Sequence, residues 1–491
     1  MSAEAGNFDE NITRFLRRVY PDFTKLVNCQ RLTGGANQET YRIDFINGDV
    51  STCCALRRAA GGLQDQTSDE NIGLANEALL IQIAEKNDIP VPSVIAMLEE
   101  QDELGAGFLM PWLNGETHGA RIVRQERFAE LRKTLAFDCG VTLAKIHAID
   151  VDKNQLNDLI PETTPESFIH ATWSRYKNLN TPQPMLDYAA MWLLDNLPKT
   201  HRRCLVHNDF RNGNLMVDEN GIVAVLDWEI AHIGDPYRDL GWLCTKSWCF
   251  GGSSSVGGFG EREDLFDGYE SISGESVDAD AVKFWEVFGS FWWGVGCLMM
   301  AEQYRNGPDP SVERPGIGRR SSECQMDCVD LIMPGQVEAT SSEASQHGQL
   351  PTTDELLKSV AEFLREQVMH ETQGRVNFLA RVAANSLEIV RREISSEPEA
   401  TQTQVRRLTQ LLDKLLNNET SEDWTRGSRK PTQYDIDTTK LKWRLVEYIR
   451  HHKTALVNHE IQHYLRQSVY EQLSIDQPKY PAFVKASVTK N

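Results

Sequence analysis

A predicted β-hairpin lies at the centre of the most informative stretch of this chain, residues 205–242. The stretch reads LVHNDFRNGNLMVDENGIVAVLDWEIAHIGDPYRDLGW. Residues 215–217 and 222–226 are short apolar runs with the length and composition of β-strands. Asn220–Gly221 between them is the dipeptide that most favours a two-residue hairpin turn, because Asn and Gly tolerate positive φ. The sequence therefore predicts a hairpin that brings the residue before its first strand next to the residue after its second.

Three oxygen-bearing side chains flank this hairpin. Asn214 lies at its entry, Asp227 lies at its exit, and Asp209 comes five positions before Asn214. Phosphoryl transfer needs such a set: a carboxylate near the acceptor hydroxyl, and an amide plus a carboxylate that hold Mg²⁺ against phosphate oxygens. An ordinary hairpin flanked by turn-forming Asp and Asn is the alternative. The spacing H-x-D-x-x-x-x-N, followed by Asp at a strand end, is much rarer and favours phosphoryl transfer.

Two segments of this stretch resemble a known family. HNDFRNGN at residues 207–214 and LDWEIAHIGDPYRDLGWL at residues 226–243 are similar to the aminoglycoside-phosphotransferase-like kinases, which act on small molecules. The resemblance is greatest to the subgroup that includes the kinase-like domains fused to some acyl-CoA dehydrogenases. It covers roughly residues 10–335. The resemblance implies ATP as the phosphate donor, Mg²⁺ as the metal and a small-molecule hydroxyl as the acceptor.

The resemblance also implies roles for residues of the central motif. Asp209 is then the catalytic base, with His207 and Arg211 beside it in the catalytic loop. Asn214 and Asp227 are the implied magnesium ligands. Protein kinases carry His-Arg-Asp and Asp-Phe-Gly at these places, whereas this chain has His-Asn-Asp and Asp-Trp-Glu. The difference argues against a protein substrate.

The N-terminal region supplies the candidate nucleotide contacts. Gly34–Gly35 forms a predicted turn between strands, where the backbone could approach phosphates, although an ordinary hairpin has the same signature. Arg57 ends a predicted strand at the place of the kinase phosphate-pairing lysine, and Glu77 lies on the following helix where the family offers a carboxylate. A surface strand and a solvated helix are the alternatives for these two residues. By position, backbone groups near Met110 and Trp112 are the candidates for adenine binding.

Further residues in the chain have two interpretations each. His147 ends the family-like segment Leu-Ala-Lys-Ile-His-Ala and is predicted to be a core or capping histidine rather than a catalytic one. Trp242 and Trp248 could line an acceptor pocket, although aromatic side chains near a core usually fill it. Residues 250–260 are rich in glycine and could form a lid beside the acceptor or a plain linker.

Composition excludes several classes of partner. The net charge of −20 and the pI near 5.1 do not favour binding to nucleic acid or to an anionic membrane. Ten scattered cysteines without C-x-x-C spacing suggest free thiols in a reducing compartment. No signal-peptide pattern is visible, and the most apolar segment, residues 284–300, is too short to span a bilayer. These features predict a cytoplasmic protein.

The pattern of elements predicts an α+β chain with a bilobal, protein-kinase-like fold and a separate all-α domain. The predicted parts are a β-rich nucleotide lobe at 1–113, a mainly helical catalytic and acceptor lobe at 114–335, a linker at 336–350 and a helical domain at 351–491. Single predicted helices include residues 7–20, 124–149, 374–394 and 402–417. The helical domain resembles one of unknown function found beside such phosphotransferases. Self-association as a homodimer and docking onto the kinase lobes are both open roles for it.

The function that the sequence predicts is phosphotransfer from ATP to a small-molecule hydroxyl. The subgroup's link to acyl-CoA dehydrogenases suggests a hydroxyacyl-CoA or hydroxy acid as acceptor, and an aminoglycoside-like compound is the other family-level choice. A pseudokinase, which binds nucleotide and uses its helical domain to engage a protein partner, is the alternative. The presence of Asp209, Asn214 and Asp227 together favours the enzyme.

Overall fold

The computed structural model describes residues 2–32, 38–63, 71–199, 202–307, 311–337, 353–417 and 438–488. By their internal contacts, the residues fall into two compact units. The first consists of Met1–Pro165 and Lys199–Glu286, and the second of Glu166–Pro198 and Val287–Asn491.

Strands are concentrated in the first half of the chain. In chain order, the elements up to residue 195 are α1 (Ser2–Val19), β1 (Phe23–Arg31), β2 (Gln38–Asn47), β3 (Val50–Ala59), α2 (Leu74–Lys86), β4 (Ala96–Met97), β5 (Gly107–Pro111), α3 (Gly119–Arg124), α4 (Leu135–His147), α5 (Pro165–Asn178) and α6 (Pro184–Asp195). They are followed by β6 (Cys204–Val206), β7 (Leu215–Val217), β8 (Ile222–Val225), β9 (His232–Gly234), α7 (Tyr237–Cys244), α8 (Arg262–Ser273) and α9 (Ala279–Asn306). The elements described after α9 are helices: α10 (Glu313–Arg319), α11 (Ser321–Ile332), α12 (Thr353–Phe363), α13 (Met369–Glu371), α14 (Gly374–Asn417), α15 (Thr438–His451), α16 (His459–Asp476) and α17 (Pro481–Val488).

The first unit contains a five-stranded antiparallel sheet, whose strands have the order β1-β2-β3-β5-β4. The predicted amphipathic helix at residues 7–20 is confirmed as α1, which packs against this sheet. Phe15 and Leu16 of α1 are fully buried together with Ile43 and Phe45 of β2. Burial of each such side chain stabilises the fold by about 1.5–3 kcal/mol. This core fixes β2 and β3, and with them the position of Arg57 on β3.

The rest of the first unit surrounds two small antiparallel sheets, β6–β9 and β7–β8. Their apolar side chains are buried in one core with helices α2, α4 and α7, as Leu205, Val225 and Ile233 illustrate. Helices α4 and α8 approach closely because Gly140 and Gly268 lie at their contact. A Cβ atom at either position would overlap backbone of the other helix. The loop between β6 and β7, residues 207–214, which is the predicted catalytic loop, is therefore attached to strands with buried side chains at both ends.

Residues 124–149 do not form the single long helix that the periodicity predicts. Helix α4 begins only at Leu135, and Gln125 has extended backbone angles, φ −76° and ψ 138°. Nη1 of Arg132 donates hydrogen bonds to the carbonyl oxygens of Ile122 and Gln125, each at 2.9 Å. These bonds satisfy carbonyls that a continuous helix would have paired internally, so the chain can turn there.

The second unit is built from helices in the part of the chain that the structure describes. Its contacts join α6 to α15, α11 to α16 and α14 to α16. Asp187 of α6 is completely buried and accepts hydrogen bonds from Trp173, Tyr176 and Arg450. Burial raises the pKa of Asp187, and the bond from Arg450 opposes this rise. A buried charge with three donors holds α5, α6 and α15 in one arrangement.

The two helices predicted at residues 374–394 and 402–417 are one continuous helix, α14, of 44 residues. Buried side chains occur in both halves, including Ala380 and Ala384 in the first and Leu408 in the second. Tertiary packing of these buried side chains outweighs the weaker local helix propensity of the segment between the two predicted helices.

The predicted domain limits at residues 113, 335 and 351 stay predictions. Residues 338–350 of the predicted linker lie outside the described residues. In the described part of the chain, no helix is long and apolar enough to cross a membrane.

Candidate active site

Arg57 on β3 is held by three carboxylates. Its Nε atom donates to Oε2 of Glu77 at 3.1 Å. Its Nη2 atom lies 2.7 Å from Oδ1 of Asp227 and 3.3 Å from Oε2 of Glu229. Burial acts to lower the pKa of Arg57, but the three carboxylates outweigh it and raise the pKa above its ordinary value. The structure thus brings together the predicted residues of the nucleotide lobe, Arg57 and Glu77, with the predicted metal ligand Asp227.

The three carboxylates around Arg57 differ in their environments. Glu77 is 1% exposed, and burial raises its pKa although Arg57 opposes the rise. For Asp227 the charge of Arg57 outweighs burial and lowers the pKa. Burial raises the pKa of Glu229 to about 7. Glu229 was not among the predicted site residues, although its position in the Asp-Trp-Glu segment, two residues after Asp227, was an available signal.

The predicted hairpin is confirmed, and it places Asn214 beside Asp227. Strands β7 and β8 pair antiparallel, and the backbone N–H of Leu226 donates to the carbonyl oxygen of Asn214 at 2.9 Å. The prediction of a two-residue turn was wrong, because four residues connect the strands. The carboxylate of Asp218 accepts hydrogen bonds from the backbone N–H groups of Asn220 and Gly221 and so stabilises this longer turn.

Asp209 is held by donors on both of its carboxylate oxygens. Oδ1 accepts hydrogen bonds from Nε of Arg211 and from Nε1 of Trp242, each at 2.9 Å. Oδ2 accepts a short hydrogen bond from Nδ2 of Asn214. The side chain of Asp209 remains 18% exposed, so the carboxylate is fixed in orientation but reachable. Trp242 both fills the core and contacts the candidate base.

His207 connects the catalytic loop to strand β8. Its Nδ1 accepts a hydrogen bond from the backbone N–H of Asp209 at 3.2 Å, so the proton belongs on Nε2, which donates to the carbonyl oxygen of Leu226 at 3.1 Å. Burial lowers the pKa of His207, and neighbouring carboxylates oppose this only in part. A neutral imidazole fixed at both nitrogens supports the position of Asp209 rather than exchanging protons with substrate.

Asp239 anchors the backbone of the same loop. Its oxygens accept hydrogen bonds from the backbone N–H groups of His207 at 2.8 Å and Asn208 at 2.7 Å. Asn208 has a positive φ of 68°, a strained conformation that these bonds and its own side-chain bonds hold in place. Nε2 of His147 lies 3.1 Å from Asp239, and both side chains are fully buried. The prediction that His147 is a core histidine is confirmed.

Aromatic side chains and one cationic side chain lie next to Asp209. The guanidinium of Arg211 lies 4.1 Å from the centre of the Trp248 ring, and that ring packs against Trp242 with 5.1 Å between centroids. Asn212 donates from Nδ2 to the carbonyl oxygen of Gly257 at 2.7 Å. This bond ties the second half of the glycine-rich loop, which is buried, to the catalytic loop.

The structure gives fewer contacts for the residues predicted to bind the nucleotide than for those around Asp209. Gly34 and Gly35 lie outside the described residues. Met110 pairs with Ala55 in the β3–β5 ladder. The backbone N–H of Trp112 donates to a carbonyl of β3 at 3.2 Å, so this donor is already used within the sheet. The assignment of Met110 and Trp112 to adenine stays a prediction.

The oxygen atoms of Asn214 and Asp227 fit a magnesium ion. With Nδ2 of Asn214 turned toward Asp209, its Oδ1 has no hydrogen-bond donor within the described residues. Asp227 uses Oδ1 toward Arg57 and is 37% exposed. Magnesium is commonly bound by one or two protein oxygens, with water and phosphate oxygens completing the shell. No group of three His, Cys, Asp or Glu side chains suited to a metal occurs among the described residues.

Two family models match the chain. The model described as "Phosphotransferase enzyme family" matches residues 28–274. A second model, described as a domain of unknown function (DUF6285), matches residues 370–480. The first match includes every described residue of the candidate site, and the second lies within the helical C-terminal region.

Curated relatives and a solved structure agree with the family match. Acyl-CoA dehydrogenase family member 10 of Mus musculus is 29% identical over 171 residues, which are 32% of this chain and 15% of that protein. Acyl-CoA dehydrogenase family member 11 of Mus musculus is 33% identical over 117 residues, 23% of this chain and 15% of that protein. The chain therefore matches only about 15% of the length of these relatives.

The crystal structure of a candidate aminoglycoside phosphotransferase from Ralstonia eutropha superimposes with a TM-score of 0.52 at 19% identity. The match covers 66% of this chain and 97% of that protein. The predicted resemblance and the kinase-like fold, with a sheet-containing N-terminal part, a helical part and a further helical C-terminal region, are confirmed.

Proposed function

Because the chain belongs to the phosphotransferase enzyme family, we propose that it transfers the γ-phosphoryl group of ATP to a hydroxyl group of a small molecule. The observation that carries the proposal is the contact of Asp209 with Asn214, whose backbone carbonyl accepts a hydrogen bond from Leu226, the residue before Asp227. A base and two oxygen ligands gathered in this way supply both parts of phosphoryl transfer, acceptor orientation and metal binding.

Asp209 is the proposed catalytic base. Arg211, Trp242 and Asn214 fix its carboxylate from three directions, so that it can accept the proton of an acceptor hydroxyl without rearranging. His207, neutral and bonded at both ring nitrogens, keeps the backbone of Asp209 in place.

Arg57 and the metal site are the proposed partners of the nucleotide. Asn214 and Asp227 would hold magnesium, which neutralises charge on the phosphate oxygens when it is bound. Arg57, oriented by Glu77, would hold the phosphates through its remaining donors. We propose, from the sequence alone, that Gly34 and Gly35 bind the phosphates and that backbone groups near Met110 and Trp112 bind adenine.

For the acceptor we propose a hydroxyacyl-CoA or hydroxy acid. Support comes from the relatives' names, which are acyl-CoA dehydrogenase family members. An aminoglycoside-like compound is the other class to be tested. We also propose that the reaction takes place in the cytoplasm, because all ten cysteines are free thiols and eight of them are buried. Docking or homodimer formation remains the proposed use of the helical C-terminal region.

A pseudokinase is the second candidate, and one contact favours it. Arg57 engages Oδ1 of Asp227 at 2.7 Å, so one of the two oxygens of this carboxylate is directed to the arginine and only Oδ2 is left for a metal. If the reaction requires both oxygens for the metal, a chain in which this bond persisted would bind nucleotide without turning it over.

Turnover measurements separate the two candidates. Mg·ATP consumption is followed across hydroxyacyl-CoAs, hydroxy acids, amino sugars and choline-like alcohols, with Asp209→Asn as the test variant. The matched control is Asp218→Asn, in the turn of the same hairpin, where an amide oxygen can make the same turn bonds. We expect acceptor-dependent ADP release that falls by about 100-fold or more in Asp209→Asn and is unchanged in Asp218→Asn, while both variants still bind ATP. Equal turnover in wild type and Asp209→Asn would refute the assignment of the base. ATP binding without turnover across the panel would favour the pseudokinase.

A further inference from the structure

The second compact unit contains a cavity of about 460 Å³. Its walls come from α9, α10 and α11, from the start of α6, and from α15 and α16. Small-molecule sites in proteins typically have volumes of about 300–1,000 Å³. Among the described residues, none that belongs to the candidate active site lines this cavity.

Four of the five charged side chains that line the cavity are paired. Nη1 of Arg319 lies 3.2 Å from Oδ1 of Asp476, and Nη1 of Arg305 lies 3.6 Å from Oε2 of Glu302. The fifth is Lys442 of α15. Within the described residues, its ammonium group has neither a hydrogen-bond acceptor nor a carboxylate partner, and burial alone perturbs it. Arg319 also contacts Glu393, which lies outside the lining, with 2.6 Å between Nη2 and Oε2. Lys442 is therefore the one lining charge without an ion-pair partner among the described residues.

The position of Lys442 is unusual for a lysine. Lysine side chains generally extend their ammonium groups into water, but Lys442 is half-buried and its pKa is lowered by burial. Lys440, two residues earlier on the same helix, is exposed. An ammonium group that is partly withdrawn from water and has no anion beside it makes the folded chain less stable. An anionic ligand in the cavity would remove this penalty.

The cavity also has an apolar wall. Leu465 and Val469 lie one turn apart on α16, and both are almost fully buried. Met185 and Leu298 line the cavity from helices α6 and α9. A ligand that fits these walls has an apolar body as well as a charged group.

We propose that this cavity binds a small amphipathic anion, with a carboxylate or phosphate group paired to Lys442 and an apolar chain against Leu465 and Val469. Lys442, Leu465 and Val469 all lie within residues 370–480, the segment matched as a domain of unknown function. The proposal gives this helical region a ligand-binding role that does not depend on phosphoryl transfer at Asp209.

Binding to the full chain tests the proposal directly. Octanoate and octyl phosphate are titrated by calorimetry, with octan-1-ol as the uncharged analogue and inorganic phosphate as the anion without an apolar body. The two amphipathic anions distinguish a carboxylate from a phosphate ligand. The variants are Lys442→Met, which keeps length but removes charge, Lys442→Arg, which keeps the charge, and Lys440→Met as the exposed control on the same helix.

We expect at least one amphipathic anion to bind wild type, Lys440→Met and Lys442→Arg, and to bind Lys442→Met about tenfold or more weakly. Lys442→Met without ligand is expected to unfold at a temperature equal to or above that of wild type, because it removes a half-buried charge that has no ion-pair partner. In wild type, the bound anion is expected to slow acylation of Lys442, mapped by mass spectrometry, and to leave Lys440 unaffected. The proposal is overturned if octan-1-ol binds as tightly as both anions, if neither anion binds, or if Lys442→Met binds them as wild type does.

Discussion

Replacing Asp239 by Asn tests whether a buried carboxylate holds the catalytic loop in place. The substitution preserves shape and removes one acceptor oxygen and the charge. In wild type, Oδ1 accepts from the backbone N–H of Asn208, and Oδ2 accepts from the backbone N–H of His207 and lies near Nε2 of His147. An Asn side chain can place its oxygen toward only one of these two sides. Its amide group then faces a buried donor on the other.

The expected cost follows from these bonds. A hydrogen bond to a charged group contributes about 1.5–3 kcal/mol, and a buried donor without an acceptor costs about 1–3 kcal/mol. We therefore expect Asp239→Asn to lower the free energy of unfolding by about 2–4 kcal/mol. Domain stabilities are about 5–15 kcal/mol, so the variant stays folded at room temperature. For a unit of this size, the midpoint of thermal unfolding should fall by roughly 4–15 °C.

The stability lost in Asp239→Asn depends on pH in a direction that follows from the pKa of Asp239. Burial acts to raise the pKa of Asp239, but the hydrogen bond from His147 and the nearby donors outweigh it, and the pKa lies below its ordinary value of 3.8. A carboxyl group whose pKa is lowered by folding stabilises the folded state above pH 3.8, and that contribution is lost as the pH falls through its folded-state pKa. The difference in the free energy of unfolding between wild type and Asp239→Asn should therefore be constant from pH 8 to pH 6 and decrease only below about pH 4.

Differential scanning calorimetry from pH 8 to pH 4 measures this difference, and turnover at pH 7.5 measures the displacement of the loop. Asp264→Asn, at an exposed carboxylate of the same unit, serves as the matched control and should change neither quantity. We expect Asp239→Asn to lower kcat because the loop that carries Asp209 loses an anchor. A difference below about 1 kcal/mol, or one that changes between pH 6 and pH 8, would refute the assignment of these bonds to the ionised carboxylate.

Two further substitutions test the packing of the first unit. Arg57→Met leaves the buried carboxylate of Glu77 without a counter-charge. We therefore expect urea unfolding at pH 8 to show a free energy of unfolding that is lower by about 3–5 kcal/mol, and titration to show weaker ATP binding. Unchanged stability would contradict the ion-pair geometry. Gly241→Ala would place a Cβ atom 2.6 Å from Cβ of Trp285 and 2.7 Å from the backbone nitrogen of Glu286. Thermal unfolding should then show a loss of about 1–3 kcal/mol from overpacking, and a neutral result would mean that α7 can move away freely.

The sequence was informative about the site where local structure alone brings residues together. A hairpin of short strands between Asn214 and Asp227 requires these two residues to be neighbours, and the structure has them so. Asp209 follows because only a short loop separates it from Asn214. The pairing of Arg57 with Glu77 was expected from family position, and the distance of 3.1 Å agrees with it.

Other features depend on contacts between residues distant in sequence, which periodicity does not encode. The break before α4 depends on Arg132, which donates to carbonyls that precede it by seven and ten residues. The single helix α14 depends on buried side chains in both of its halves. Trp242 was a plausible core aromatic from sequence, and only the fold places its indole N–H on Asp209, 33 residues away.

An arginine at position 57, rather than a lysine, affects both the geometry and the net charge of the carboxylate cluster around it. From Nε and Nη2 its planar head reaches Glu77, Asp227 and Glu229 at once, which the single ammonium of a lysine would do less well. One positive and three negative side chains give the cluster a net negative charge, which reaches −2 only above pH 7 because burial raises the pKa of Glu229 to about 7. A divalent cation bound by Asp227 would cancel this charge, whereas free ATP would add to it. In the proposed reaction this charge balance would favour a nucleotide that enters as its magnesium complex, with Asp227 and Asn214 as the residues that would hold the metal.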